Sequence, residues 1–250
     1  MSKTWISPDW STHPLIHALI TDRDGGVSLP PYASLNLGSH VGDAPEAVTA
    51  NRAILRKHLP SEPIWLNQVH GIAVFDADAW DGELIPSADA VITTQVNRVL
   101  CIMTADCLPV LLVAKDARVI GAAHAGWRGL CAGVIEATVT AMRNKLNKPD
   151  LEIQAYLGPA IGPKAFEVGA EVREAFIKQN AKSDLAFKPS QNDGKYFADI
   201  YELARLRLDG VGVDLINGGQ ACTYQDQRFF SYRRDQVTGR LASLLWIGNA

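Results

Sequence analysis

Between Val99 and Gly126 the sequence runs through three apolar stretches, VLCIM, LPVLLVA and ARVIGAAHAG. Each has strand length, and the first two flank the polar interruption TADC, so they read as buried strands. From Leu130 the apolar period changes: Leu130, Val134, Ile135, Val139, Met142 and Leu146 fall on one side of a helix that closes before Pro149. This pattern restricts the chain to a mixed α/β fold, and with no repeat of fixed period and no linker, one domain over residues 1–250 is expected.

The segment TDRDGGVSLPPYASLNLGSHVGD has six glycines and prolines among 23 residues and reads as loop. Asp43 is expected to cap a helix with Pro45 in its first turn, Glu46 at its positive end, and Val48, Leu55 and Leu59 on its apolar face. That helix should end near Pro60. PIWLNQVHGIAVFDA reads as two short strands, around Ile64 to Val69 and Ile72 to Phe75. LEIQAYL returns to strand, GPAIGPKAFEVG is a shaped loop, and helices are expected at Glu171 to Gln179 and Ile200 to Leu208. RFFSYRRDQVTGRLASLLWIG reads as a hairpin turning near Thr238 and Gly239.

Composition excludes several partners. Net charge is −3 and the lysines and arginines are dispersed, so the basic footprint of a nucleic-acid-binding protein is absent. MSKTWISPDW lacks the pattern of a signal peptide, and no apolar run approaches the ~18 residues of a membrane span. Cytoplasm is the expected compartment, with no membrane or nucleic-acid partner. The four cysteines, Cys101, Cys107, Cys131 and Cys222, form no CxxC pair and no disulfide scaffold, and read first as small buried hydrophobes.

His70, Cys107 and His124 lie 37 and 17 residues apart, intervals that match no local metal motif. Each ends or interrupts an apolar run beside glycine, asparagine, aspartate or arginine, where strand ends of one sheet can converge. Two imidazoles and a thiolate would leave a fourth position open, as catalytic zinc requires. A turn histidine, a core thiol and a satisfied buried ring remain the alternative. In HAGWRG, Gly126 and Gly129 permit close backbone approach, and a helix starting near Gly129 would offer free N–H groups to an anion, with Arg128 as a forked donor. Trp127 reads as packing. Asp106 adjoins Cys107, where it could orient a histidine, bind a ligand hydroxyl or act as a base. Arg23 is a second cation on a glycine-rich loop.

Six segments in order, TDRDGGVSLPPYASLNLGSHVGD, NQVHG, TADCLPV, HAGWRG, LGPAIGPKAFEVG and CTYQDQRFFSYRR, closely resemble the YfiH family, also called the laccase-domain or polyphenol oxidase family. They run from Thr21 to Arg234, nearly the whole chain. The resemblance implies a single domain with a layered α/β/β/α sandwich, loosely similar to the catalytic domain of cytotoxic necrotizing factor toxins. It implies metal ligands at His70, Cys107 and His124, usually holding Zn2+, with copper as the alternative metal. It also implies purine nucleoside phosphorolysis, from inosine, guanosine or adenosine plus phosphate to base and ribose 1-phosphate. Adenosine deamination and methylthioadenosine phosphorolysis are further family activities.

Within that implication, Arg128 and Arg23 are candidates for phosphate, and Asn36, Asn67 and Gln68 for ribose or base. Asp106 is the candidate proton shuttle for a deaminase reaction, and a monomer or small homo-oligomer is expected. Two rivals use the same residues. A copper-dependent polyphenol oxidase shares the His2Cys ligand types, although six histidines are few for several copper centres. A Cys-His hydrolase editing peptidoglycan precursors would use Cys107 as nucleophile with His70 or His124 as base.

Overall fold

The structure is a computed structural model that describes residues 5–249. The chain begins with strand β1 (Ile16–Ile20), crosses a long loop, and forms helix α1 (Pro45–Arg56) before strands β2 (Val74–Asp76), β3 (Ala90–Thr93) and β4 (Leu100–Thr104). Strands β5 (Leu108–Ala114) and β6 (Ile120–Ala125) lead into helices α2 (Trp127–Ala132) and α3 (Val134–Lys145), then β7 (Ile153–Leu157). A smaller unit follows: β8 (Glu167–Gly169), α4 (Ala170–Gln179), β9 (Phe187–Pro189) and β10 (Lys195–Ala198). Helix α5 (Ile200–Asp209), β11 (Ile216–Gly218), the short α6 (Tyr232–Asp235) and β12 (Leu241–Ile247) complete the order.

Two sheets carry the architecture, one of order β1-β12-β4 and one of order β11-β7-β5-β6-β3-β2. The two-residue period of their strands assigns side chains to layers. In β4, Leu100 and Ile102 face the second sheet, where they pack with Leu111, Val113 and Ile120. Cys101 and Met103 of the same strand face outward, against Leu55 and Leu59 of α1 and the loop that follows it. In β5 the alternation repeats, with Leu108, Val110 and Leu112 packed against Val134, Val139 and Met142 of α3 and Leu203 and Leu208 of α5. Helix, sheet, sheet and helix therefore stack as four layers, the arrangement that the resemblance implied. No helix among the described residues is long and apolar enough to cross a membrane.

The three apolar runs form strands at the expected positions, and the interruption at TADC has a structural cause. β4 belongs to the first sheet and β5 to the second, so the chain changes sheet between Thr104 and Leu108. The helix expected from Leu130 starts earlier, at Trp127, and is broken at Gly133. Gly133 has φ 105°, a conformation that glycine adopts without steric cost, and it ends α2 while starting α3. The apolar positions stay on the buried side across the break.

Three expectations are corrected. Asp43 does not cap α1: Ala44 is the N-cap, with no side-chain capping bond. The Asp43 carboxylate instead accepts hydrogen bonds from Ser28, Asn36 and Ala44 N–H, closing the preceding loop. The strands expected around Ile64 to Val69 and Ile72 to Phe75 reduce to single bridges at Ile64 and Asn67 and the short β2. Here the N–H groups of Val69, His70 and Gly71 turn to one carboxylate, that of Asp89, rather than to a neighbouring strand. The hairpin at the C-terminal end is absent. Phe229 and Phe230 are fully buried in a loop, Ser231 caps α6, and β12 pairs between β1 and β4. Arg234 reaches the carbonyls of Thr223, Tyr224 and Phe229, which fixes that loop without a second strand.

Asp78, between β2 and β3, ties the edge of the second sheet to the end of α3. It accepts from Thr93, Thr94 and Lys145. Burial opposes its ionisation, but these donors outweigh that effect and hold the carboxyl at about 2. A carboxyl depressed in the folded state stabilises above its unfolded value, near ~4, and loses that contribution as pH falls towards about 2. Asp78→Asn is therefore expected to cost about 2 kcal/mol at neutral pH. Denaturant unfolding at pH 7 and at pH 2.5 checks this: the gap between wild type and variant should shrink at the lower pH, and an equal gap would contradict the assignment.

Candidate metal centre

Three separate parts of the chain deliver one side chain each to a single point. Cys107 lies at the change of sheet just before β5, and His124 lies in β6 opposite Pro109 of β5. His70 sits in the turn before β2 with φ 61°, in the left-handed region. Their ligand atoms all lie within 4.8 Å of one another, and Cys107 Sγ is 3.8 Å from His70 Nε2. The two imidazole rings meet edge to face, with centroids 4.8 Å apart.

One buried carboxylate sets this geometry. Asp89, fully buried, holds His124 Nδ1 at 2.8 Å through Oδ1. The same carboxylate accepts the N–H groups of His70 at 2.9 Å, Gly71 at 2.6 Å and Val69 at 3.2 Å, and its backbone carbonyl accepts His124 N–H at 2.7 Å. With Nδ1 engaged, Nε2 is the nitrogen that His124 has left for a ligand. Two of the three candidate ligands are thus positioned by one side chain.

The glycines of HAGWRG make room for this cluster. A Cβ at Gly126 would lie 2.8 Å from His70 Cδ2 and 3.1 Å from Cys107 Sγ, and one at Gly129 would lie 2.8 Å from the Gly71 carbonyl oxygen. The start of α2 can therefore pass directly under the His70 turn. Burial alone would raise the Cys107 thiol, yet positive His124 and hydrogen bonds from both histidines hold it well below the usual thiol range. His124 is burdened by burial in the same way, and the Cys107 sulfur and Asp89 pull it above the usual imidazole value. Both shifts favour an ionised Cys107 sulfur beside a protonated His124 ring. That anionic sulfur and two convergent imidazoles are a donor set that fits a divalent metal with an open position.

The cluster opens into a cavity of about 420 Å3, within the size range of small-molecule sites. Gln68, Met103, Thr104 and Ala105 line one side, and His40, Tyr232 and Arg240 complete it. A second cavity, of about 450 Å3 among Trp5, Trp10 and Trp246, shares no residue with it.

Of the other sequence candidates, the structure places Gln68 at this cavity, with its amide bonded in both directions to the Met103 backbone. Asp106 adjoins the centre, but Thr223 Oγ1 donates to one of its oxygens and Arg233 N–H to the other, both at 2.6 Å. Asn36 is fully buried and bonds to Gly38, Asp43 and Arg240 N–H, and Asn67 bonds to Ser87. Arg23 bonds to the Ala33 carbonyl and lies over Phe230, while exposed Arg128 lies 4.5 Å over Trp127. None of Asn36, Asn67, Arg23 and Arg128 lines the cavity. Trp127 packs against the helix-side core. Asp89, His40, Tyr232 and Arg240 escaped sequence reasoning. Only Asp89 carries a signal, an acidic residue among alanines at the mouth of an apolar run.

Replacing Asp89 by asparagine keeps the volume but removes the charge that orients His124. A loss of about 10–100-fold in zinc affinity is expected, measured by chelator competition. Gly126→Ala should weaken binding too, by displacing His70 and Cys107. Wild-type affinity in both variants would refute this account of the geometry.

A family model described as "Multi-copper polyphenol oxidoreductase laccase" matches residues 17–248. Purine nucleoside phosphorylase YfiH of Escherichia coli is 52% identical over 252 residues, covering 99% of this chain and all of that protein. A purine nucleoside phosphorylase of Pseudomonas aeruginosa is 50% identical over 244 residues, 97% of this chain and 98% of its own. Among solved structures, Neisseria meningitidis protein NMB0706 superposes with a TM-score of 0.92 at 45% identity, covering 99% of this chain and 100% of that one. YlmD of Geobacillus stearothermophilus gives 0.91 at 30% identity, with 100% and 98% covered. By sequence along nearly its whole length and by fold, the chain belongs to the YfiH family, the laccase-domain proteins described as multi-copper polyphenol oxidoreductase laccase.

Proposed function

We propose that this chain is a zinc-dependent purine nucleoside phosphorylase, acting on inosine, guanosine or adenosine with phosphate to give the free base and ribose 1-phosphate. The observation that carries the reading is the convergence of His70, Cys107 and His124 on a cavity large enough for a nucleoside. Relatives about 50% identical bear the name of that activity. When bound, a zinc ion supplies Lewis acidity at the wall of the cavity.

The chain's own residues supply position. Asp89 fixes the His124 ring and the His70 turn before substrate arrives, so these two side chains are preorganised. Gln68 is locked to Met103 at both amide atoms and holds the cavity wall against β4. Deamination would need a proton-shuttling side chain beside the metal. Both oxygens of Asp106, the candidate for that task, are already engaged, which supports ranking phosphorolysis first.

Among the described residues, one group of three metal-ligating side chains is found, which supports a single metal centre over a multicopper oxidase. The thiolate character of Cys107 favours keeping one second reading, the cysteine hydrolase. Metal quantification on protein purified without added metal separates the two. One zinc per chain is expected, with hypoxanthine released from inosine and phosphate. Cys107→Ala should lose the metal and at least about 100-fold in rate. A metal-free active enzyme inactivated by alkylation at Cys107 would establish the hydrolase instead, and a zinc-loaded protein that releases no hypoxanthine would end the phosphorylase reading.

A further inference from the structure

The cavity beside the three ligands is lined by one arginine and three histidines and by no aspartate or glutamate. Arg240 precedes β12, and Leu241 pairs with Thr104 of β4, which places Arg240 beside the Ala105–Cys107 turn. Its Nη1 donates to the carbonyls of Thr238 and Gly239, while Nε and Nη2 have no protein acceptor among the described residues. A guanidinium with two parallel donors open to a cavity is suited to a tetrahedral oxyanion.

The surrounding chain is built to hold Arg240 there. Its N–H donates to Oδ1 of fully buried Asn36, whose Nδ2 is anchored on Asp43 and the Gly38 carbonyl. A Cβ at Gly38 would stand 2.7 Å from Arg240 Cγ, so this glycine leaves space for the arginine stem. The same loop brings His40 to the cavity wall. Burial, Arg240 and Arg52 all hold His40 below its ordinary value, while burial lowers Arg240 itself and the Cys107 sulfur and the Asp106 carboxyl act on it in the opposite sense.

We infer that Arg240, with His40, forms the subsite for the phosphate co-substrate, in place of the Arg128 and Arg23 positions that the sequence suggested. The inference rests on the phosphorylase reading for its ligand, and Arg240 then acts by holding the attacking phosphate beside the metal-ligating cluster.

The test is direct titration of inorganic phosphate into zinc-loaded protein by calorimetry, with metal content and thermal unfolding checked for each variant. Arg240→Gln is expected to weaken phosphate binding about tenfold or more, Arg240→Lys less, and Arg128→Gln not at all. His40→Gln should weaken it several-fold and serves if Arg240→Gln fails to fold. Undetectable binding to the wild type, unchanged affinity in Arg240→Gln or, where that variant does not fold, in His40→Gln, or a loss confined to Arg128→Gln would overturn the inference. If phosphate binds through Arg240 but inosine is not consumed, the subsite stands and the phosphorylase reading falls.

Discussion

The carboxylate of Asp89 is the interaction on which the site depends. Buried among β3, β6 and the His70 turn, it faces His124 and three successive backbone N–H groups, and these donors keep it ionised against the effect of burial. An isolated charge in such surroundings would be costly, whereas one meeting this many hydrogen bonds rigidifies whatever it touches. It touches two residues of the candidate metal site, His70 and His124, that are far apart in the chain. The alignment of His70 with His124 therefore does not depend on the precision of either loop alone.

The layered fold explains why the ligands meet where they do. The chain leaves one sheet at Thr104 and enters the other at Leu108, and Cys107 lies on that crossing. Arg240 stands just before β12, the central strand of the first sheet, and His124 in the second, so the cavity lies between elements anchored in both. Sheets held apart by a core of Leu100, Ile102, Leu111 and Val113 keep that gap fixed.

Much of this was legible in the sequence, for identifiable reasons. The strands at VLCIM, LPVLLVA and ARVIGAAHAG were readable because their runs are short, continuous and bounded. The helical face from Leu130 was readable because its period survives the Gly133 break. The polar interruption at TADC marked the crossing, although nothing local shows that it joins two sheets. Asp43 and the C-terminal segment depart from expectation for one reason: each follows a local rule, but partners elsewhere in the chain claim it. Ser28 and Asn36 take Asp43, and the gap between β1 and β4 takes β12. Arg240 left no trace because its role arises only from the register of β12 against β4.

The place of β12 in the first sheet has a consequence for biosynthesis. This strand is central, flanked by β1 and β4, yet it is the last strand in chain order. Its neighbours must wait with unpaired edges until residue 247 has left the ribosome, a state prone to wrong association. His70, Cys107, His124 and Asp89 are all synthesised before Arg240, so the part of the cavity wall that Arg240 forms is the last to be added.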